Sequence, residues 1–309
     1  MFSAAATSLR SRSRSTCGRR WIQVCRTVPE YRAWRQQQSG SVGFVPTMGA
    51  LHDGHLSLVD AARDANAATV ASIFVNPLQF APHEDFDRYP RRVERDVELL
   101  ESHGVSAVFV PDARQMYASK EPARVVIPNI DSIAEGAARP GFFSGVATVV
   151  LKLFNIVQPT AAYFGQKDGL QCLVVRKMIR DFDLPVQLCV QPTIRELNGL
   201  AMSSRNEYLT PEQRAGGGSI FRALTAGAEM LKCGTPPAAA VATVREELAA
   251  ESLFDRVEYV SALDTTSLQE LDGGAEGTTS LSPGAEVMLS CAVGLGRTRL
   301  IDNVLVSLP

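Results

Sequence analysis

The chain has 309 residues, with 31 Lys and Arg against 33 Asp and Glu, a formal charge of −2, 45% apolar residues and 21% charged ones. That length can bury one large core or two ordinary ones, and the near-zero charge excludes a bulk nucleic-acid binder while leaving room for a local basic pocket. The longest apolar run, residues 146–157, carries Lys152 and Asn155, so no membrane span is expected, and the composition fits neither low-complexity disorder nor a coiled coil.

Residues 1–20 hold five arginines, five serines and no acid; the first acidic residue is Glu30. This start reads as an organellar transit peptide, mitochondrial or plastid, because it lacks the apolar core of a secretory signal. A disordered extension on a cytoplasmic protein is the alternative. Without these residues five arginines go and no acid does, so the formal charge moves from −2 to −7.

From residue 42 onward short apolar runs alternate with helix-like stretches. Strands are expected at 42–45, 69–75, 107–110, 161–164 and 186–190, and helices at 55–68, 90–103, 146–157 and 169–181. Such alternation implies parallel strands joined by crossover helices, and strands apolar throughout are covered on both faces. Near residues 193–198 the pattern changes. Two helices are expected at 212–233 and 236–251, then strands at 257–263, 286–292 and 299–306, with a Gly/Ser/Thr-rich loop at 273–284. The glycine run Gly216-Gly217-Gly218 weakens the first of those helices near its start. The expected fold is therefore α/β: a Rossmann-like parallel sheet flanked by helices over 21–193, with a smaller C-terminal α+β domain over 194–309.

Six cysteines, at 17, 25, 172, 189, 233 and 291, show no C-x-x-C spacing and read as free thiols. Of only four histidines, His52 and His55 lie three apart in Pro46-Thr47-Met48-Gly49-Ala50-Leu51-His52-Asp53-Gly54-His55. That segment follows the first parallel strand and opens a helix, where α/β sheets bind nucleotides and free N–H groups attract phosphate. Two imidazoles on one face of a turn can donate to charge developing on a phosphate; a metal pair and two structural histidines are the rival readings. Asn76 and Gln79 follow the 69–75 strand, where amides recognise hydroxyl or carboxylate groups. Lys167 and Asp168 follow the 161–164 strand, where a lysine neutralises phosphate and an acid meets ribose. Ser203-Ser204-Arg205 offers two hydroxyls and a guanidinium for a polyphosphate. Arg139 precedes an apolar helix and is suited to a carboxylate.

Together and in this order, these motifs closely resemble the pantoate–β-alanine ligase family, over about residues 22–303 and ending in Thr298-Arg299-Leu300-Ile301-Asp302-Asn303. The family belongs to the H-x-G-H nucleotidylyltransferase superfamily, whose Rossmann-like core is shared with class I aminoacyl-tRNA synthetases. The resemblance implies an ATP- and Mg²⁺-dependent ligase of pantothenate biosynthesis, on the coenzyme A pathway. Pantoate would form a pantoyl-adenylate with release of pyrophosphate, and β-alanine would then displace AMP. It implies that His52, His55, Lys167 and Arg205 are catalytic, with His55 the favoured proton donor. It implies an ATP site formed by Met48, Gly49, Ala50, Leu51, His52, Asp53, Gly54 and His55, by Gly165, Gln166, Lys167 and Asp168, and by Ile194, Met202, Ser203, Ser204 and Arg205. Gln79 and Gln171 would hold pantoate, Asn76 and Arg139 would line or support the substrate cavity, and Asp96 would lie at the Mg²⁺ site. A homodimer, a C-terminal lid, and the absence of nucleic-acid or membrane partners are further implications. In an acidic protein, Lys167, Arg205 and Arg139 are where the cations are expected to gather.

The stretch Phe164-Gly165-Gln166-Lys167-Asp168-Gly169-Leu170-Gln171 departs from the family pattern Phe-Gly-(Glu or Lys)-Lys-Asp-(aromatic)-Gln-Gln. Gln166 removes a charge, and Gly169 in a helix start costs about 1 kcal/mol of propensity. Two other readings are thereby kept: a nucleotidyltransferase that stops after nucleotidyl transfer, and a nucleotide sensor that retains the fold without turnover.

Overall fold

The structure, a computed structural model, describes residues 21–81, 84, 86–119, 121–271 and 284–309. The leader at 1–20 and nearly all of the loop expected at 273–284 lie outside the described residues. In chain order, β1 (Gln23–Cys25) precedes α1 (Val28–Arg35), β2 (Val42–Thr47) precedes α2 (Asp53–Ala65), and β3 (Ala68–Ile73) precedes α3 (Val93–Ser102). After β4 (Ala107–Phe109) come the short α4 (Ala113–Met116) and α5 (Ala134–Ala138), then α6 (Phe142–Val157). The series closes with β5 (Ala161–Gly165), α7 (Gly169–Asp181) and β6 (Gln187–Gln191).

These six strands form a wholly parallel sheet in the order β1-β4-β3-β2-β5-β6. From β2 the chain builds outward through β3 and β4 on one side, with β1 at the edge beyond them, and through β5 and β6 on the other. The topological switch therefore lies between β2 and β5, where an open α/β sheet leaves a crevice at its strand ends. Successive residues of β2 serve opposite faces. Phe44 packs with Val70, Phe109 and the α6 residues Val146 and Val150, while Val45 packs with Leu58, Val59 and Val108. Burial on both faces is why these strands read as continuous apolar runs.

The C-terminal part holds α8 (Pro211–Gly216), α9 (Ser219–Lys232), α10 (Pro237–Ala250), β7 (Arg256–Asp264), β8 (Glu286–Leu295) and β9 (Thr298–Ser307). The three strands form an antiparallel sheet in sequence order. Leu224, Leu231, Val244 and Leu248 of the helices close a core with Ala262, Leu289 and Cys291 of that sheet. Leu263 and Met288 join the core of the parallel sheet instead, alongside Leu170 and Leu173.

Some boundaries differ from expectation for physical reasons. The helix expected at 212–233 is two helices broken at Gly217 and Gly218. A Cβ on Gly216 would lie 1.9 Å from Leu253 Cδ1, and one on Gly218 2.0 Å from the Asn198 carbonyl oxygen. Those glycines permit close packing at the break. Helix α2 begins at Asp53, ahead of the expected 55, because His52 caps it. Helix α6 begins at Phe142, four residues before the expected start. No described helix is long and apolar enough to cross a membrane.

Candidate active site at the sheet switch point

The turn from β2 into α2 is tied down from three sides. Thr47 Oγ1 donates to the Ser72 carbonyl (2.7 Å) and accepts from Gly49 N–H (3.2 Å). Gly49 has φ +86° and Ala50 φ +51°, the second an unfavourable left-handed state for a residue with a Cβ. Asp96 of α3 supports that state: its carboxylate accepts from Ala50 N–H at 2.8 Å and Leu51 N–H at 2.9 Å, and it is 1% exposed.

Backbone N–H donors then fix the protonation pattern of the two histidines. His52 Nδ1 accepts from Gly54 N–H (3.1 Å), capping α2, and His55 Nδ1 accepts from His52 N–H (3.4 Å). An Nδ1 that accepts carries no proton, so each neutral ring presents Nε2–H as a donor. The ring centroids are 4.1 Å apart. Gly54 is needed because the His52 ring lies over it: a Cβ there would sit 2.9 Å from His52 Cε1.

Burial first, then the neighbouring His52 and Lys167, push His55 down to about 3; burial and Lys167 lower His52, against weaker opposing carboxylates. Both rings are neutral donors at neutral pH. The stability consequence has a definite sign. Between the free-imidazole value of 6.5 and about 3, the unfolded chain binds more protons at His55 than the folded one. This contribution is fully present above that window and is lost as pH falls through it, at up to about 1.4 kcal/mol per pH unit. Urea melts from pH 7 to pH 4 should show a shallower acid loss for His55→Asn than for the wild type. Equal slopes would contradict the assignment.

A cavity of about 1060 Å³ opens at the switch point, lined by Met48, His52, Gly54, His55, Gln79, Arg139, Gly165, Lys167, Asp168, Gln171, Ile194 and residues 202–205. The expected cations Lys167, Arg205 and Arg139 thus meet at one cavity. Lys167 lies 3.6 Å from Asp168, and Ser203 caps the turn that carries Ser204 and Arg205.

Asn76 does not line the cavity. It is fully buried and holds Gln79. Its Nδ2 donates to Gln79 Oε1 (2.9 Å) and the Gly145 carbonyl (3.1 Å), and its Oδ1 accepts from the Tyr117 hydroxyl and Leu78 N–H. With Oε1 used, Gln79 has its Nε2–H donors to offer the cavity. Gly145 lets α6 approach: a Cβ there would lie 2.1 Å from the Leu78 carbonyl oxygen.

Arg139 stacks 3.8 Å above the Phe142 ring and is held by both oxygens of Glu84 at 2.7 Å. Burial would raise the Glu84 carboxyl, but the Arg139 bonds and charge, aided by Arg205, hold it below its usual range. The carboxylate on Arg139 is therefore one of the protein's own.

Other expected site residues fall outside the lining. Gly49, Ala50, Leu51 and Asp53 shape the turn behind the histidines, and Gln166 faces Asn303. Asp96, expected at the Mg²⁺ site, anchors the loop, each of its oxygens accepting from one backbone N–H. Sequence reading missed a wall contributed by Glu135, Glu258, Tyr259 and Arg299. Arg299 grips both oxygens of Glu135 (2.8 and 2.7 Å) and reaches Glu258 (2.6 Å), and Tyr259 donates to Glu135. Arg299 lay inside the Thr298–Asn303 segment; Glu135, a lone acid among alanines, gave no signal.

The family model described as Pantoate-beta-alanine ligase matches residues 23–305. The chain is 49% identical over 286 residues to the Pantothenate synthetase of Chloroflexus aggregans, covering 92% of this chain and 100% of that relative. It is 47% identical over 285 residues to that of Moorella thermoacetica, covering 92% and 98%. Among solved structures it matches the pantothenate synthetase of Thermus thermophilus with a TM-score of 0.81 at 45% identity, over 92% of this chain and 99% of that one. It matches the pantoate-beta-alanine ligase of Francisella tularensis, solved in complex with beta-gamma ATP and beta-alanine, with a TM-score of 0.72 at 30% identity, over 92% and 97%. With the profile match covering most of its length, the chain belongs to the pantoate–β-alanine ligase family.

Proposed function

We propose that the protein joins pantoate to β-alanine, using ATP, through a pantoyl-adenylate. A carboxylate oxygen of pantoate attacks the α-phosphorus, the bond from that phosphorus to its bridging oxygen breaks, and pyrophosphate leaves. The β-alanine nitrogen, delivered as the neutral amine, attacks the acyl carbon. AMP departs with the carboxylate oxygen that had attacked, and the nitrogen loses one proton. No covalent bond to the protein is made, so positioning and charge stabilisation carry the catalysis.

The observation that carries this reading is the convergence on one cavity of two Nε2–H imidazoles, Lys167 and Arg205 with the free amide of Gln79. In it His52, His55 and Lys167 hold the phosphates, Ser203, Ser204 and Arg205 close over them, Asp168 meets ribose, and Gln79 and Gln171 hold pantoate. His55 acts as a neutral hydrogen-bond donor, in keeping with its lowered pKa.

Magnesium enters with the substrate as MgATP. Among the described residues no three His, Cys, Asp or Glu side chains gather to hold a metal, and Asp96 is engaged by backbone N–H groups. Mg²⁺ of this kind keeps its waters and rides on substrate phosphates. AMP and pyrophosphate should accumulate in equal amounts only when both pantoate and β-alanine are present. A stable nucleotidyl product formed without amine would instead favour a simple nucleotidyltransferase, and ATP binding without pantoate binding a sensor.

The reading extends to a homodimer with residues 194–309 as a lid that shields the labile acyl-adenylate from water. Small-angle scattering should give a dimer mass and a smaller radius with ATP and pantoate; a monomer or an unchanged profile would count against it. The Arg/Ser-rich residues 1–20 support delivery to a mitochondrion or plastid, which native protein found only in the cytosolic fraction with Met1 intact would contradict.

A further inference from the structure

Asn303 sits on β9, opposite Ser290 of β8, and is buried. Its side chain reaches out of the antiparallel sheet to the loop after β5. Nδ2 donates to two consecutive carbonyls, Gln166 (2.8 Å) and Lys167 (2.9 Å), and Oδ1 accepts from Gln166 Nε2 (2.7 Å). Both amide donors are thus spent on the backbone that carries Lys167. The amide is anchored from behind: Asn303 N–H donates to Asp302, which forms a two-point ion pair with Arg195, itself stacked 3.7 Å over Phe221 of α9.

A glycine nearby makes this contact possible. A Cβ on Gly169 would lie 2.6 Å from Met288 Sδ and 2.8 Å from Asn303 Cγ. The glycine that weakens the start of α7 by propensity is required by the approach of β8 and β9. Gln166 and Gly169, two of this chain's departures from the family pattern, both face Asn303.

We propose that Asn303 is a positioning residue for phosphate binding, through which the C-terminal sheet sets where Lys167 stands. Seating of that sheet and placement of the lysine are then one event. This rests on the reading that Lys167 contacts the ATP phosphates.

The test is a double-mutant cycle on the full chain, reading the Kd for MgATP by calorimetry in wild type, Asn303→Ala, Lys167→Ala and the double variant. Asn303→Ala should weaken MgATP about tenfold, as expected for two lost hydrogen bonds, and should add nothing in the Lys167→Ala background. Gly169→Ala, which pushes Asn303 away without removing it, should repeat the loss and serves if Asn303→Ala fails to fold. A loss of the same size with and without Lys167, or no loss in either variant, overturns the proposal. If Lys167→Ala alone leaves MgATP binding unchanged, the underlying reading of Lys167 falls, and the proposal with it.

Discussion

His55→Asn is expected to lower kcat for pantoyl-adenylate formation by about 10²–10³-fold, the usual loss when one preorganised donor to developing charge is removed. The substitution divides the two jobs of the ring. Asparagine oxygen can still accept from His52 N–H, as His55 Nδ1 does at 3.4 Å, so the start of α2 keeps its cap. The Nε2–H donor has no replacement. Single-turnover formation of the adenylate in a quenched-flow assay reads the loss directly. Stability above pH 7 should change little, because the charge that His55 avoids is absent there. His55→Gln reverses the division, restoring a donor near Nε2 and losing the cap acceptor, and should recover part of the rate. Wild-type rates in His55→Asn would remove His55 from the chemistry.

Asp96→Ala is expected to reduce stability by about 2–5 kcal/mol and to slow adenylation at least tenfold. Its carboxylate is the partner of two N–H groups, on Ala50 and Leu51. Leaving each unpaired costs about 1–3 kcal/mol, and Ala50 would then hold φ +51° without support. The turn that presents both histidines loosens as a result. Asp96→Asn should be only a partial repair, since its NH2 faces a backbone donor. Magnesium titrations separate anchoring from ligation. An anchor predicts a lower kcat at every Mg²⁺ concentration with an unchanged half-saturation. A metal ligand predicts a loss that excess Mg²⁺ recovers.

Much of the site was legible because local chemistry and topology agree. Histidines three apart after a buried strand, a lysine after β5 and a Ser-Ser-Arg turn each mark a strand end or a helix start, and all of them line one cavity. The strands β2 and β3 were legible as continuous apolar runs because both faces are covered. What was hidden depends on partners remote in sequence. Gly169 reads as a helix defect until Met288 and Asn303 are set against it, and Gly216 until Leu253 is. Asp96 reads as one acid in a charged helix; its partners, Ala50 and Leu51, lie 46 and 45 residues earlier. The three-residue β1 is too short for any periodicity, although the Thr27–Glu30 capping box with Pro29 was a readable start for α1. Arg139 was expected to meet a substrate carboxylate, and only the fold brings Glu84 to it from 55 residues away.

The fate of the pantoate carboxylate oxygens tests the acyl-adenylate route most directly. With pantoate carrying ¹⁸O in both, the acyl-adenylate route predicts one labelled oxygen transferred to each AMP and one retained in the amide of the product. AMP free of label, with the label in phosphate or wholly kept in pantoate, would contradict it.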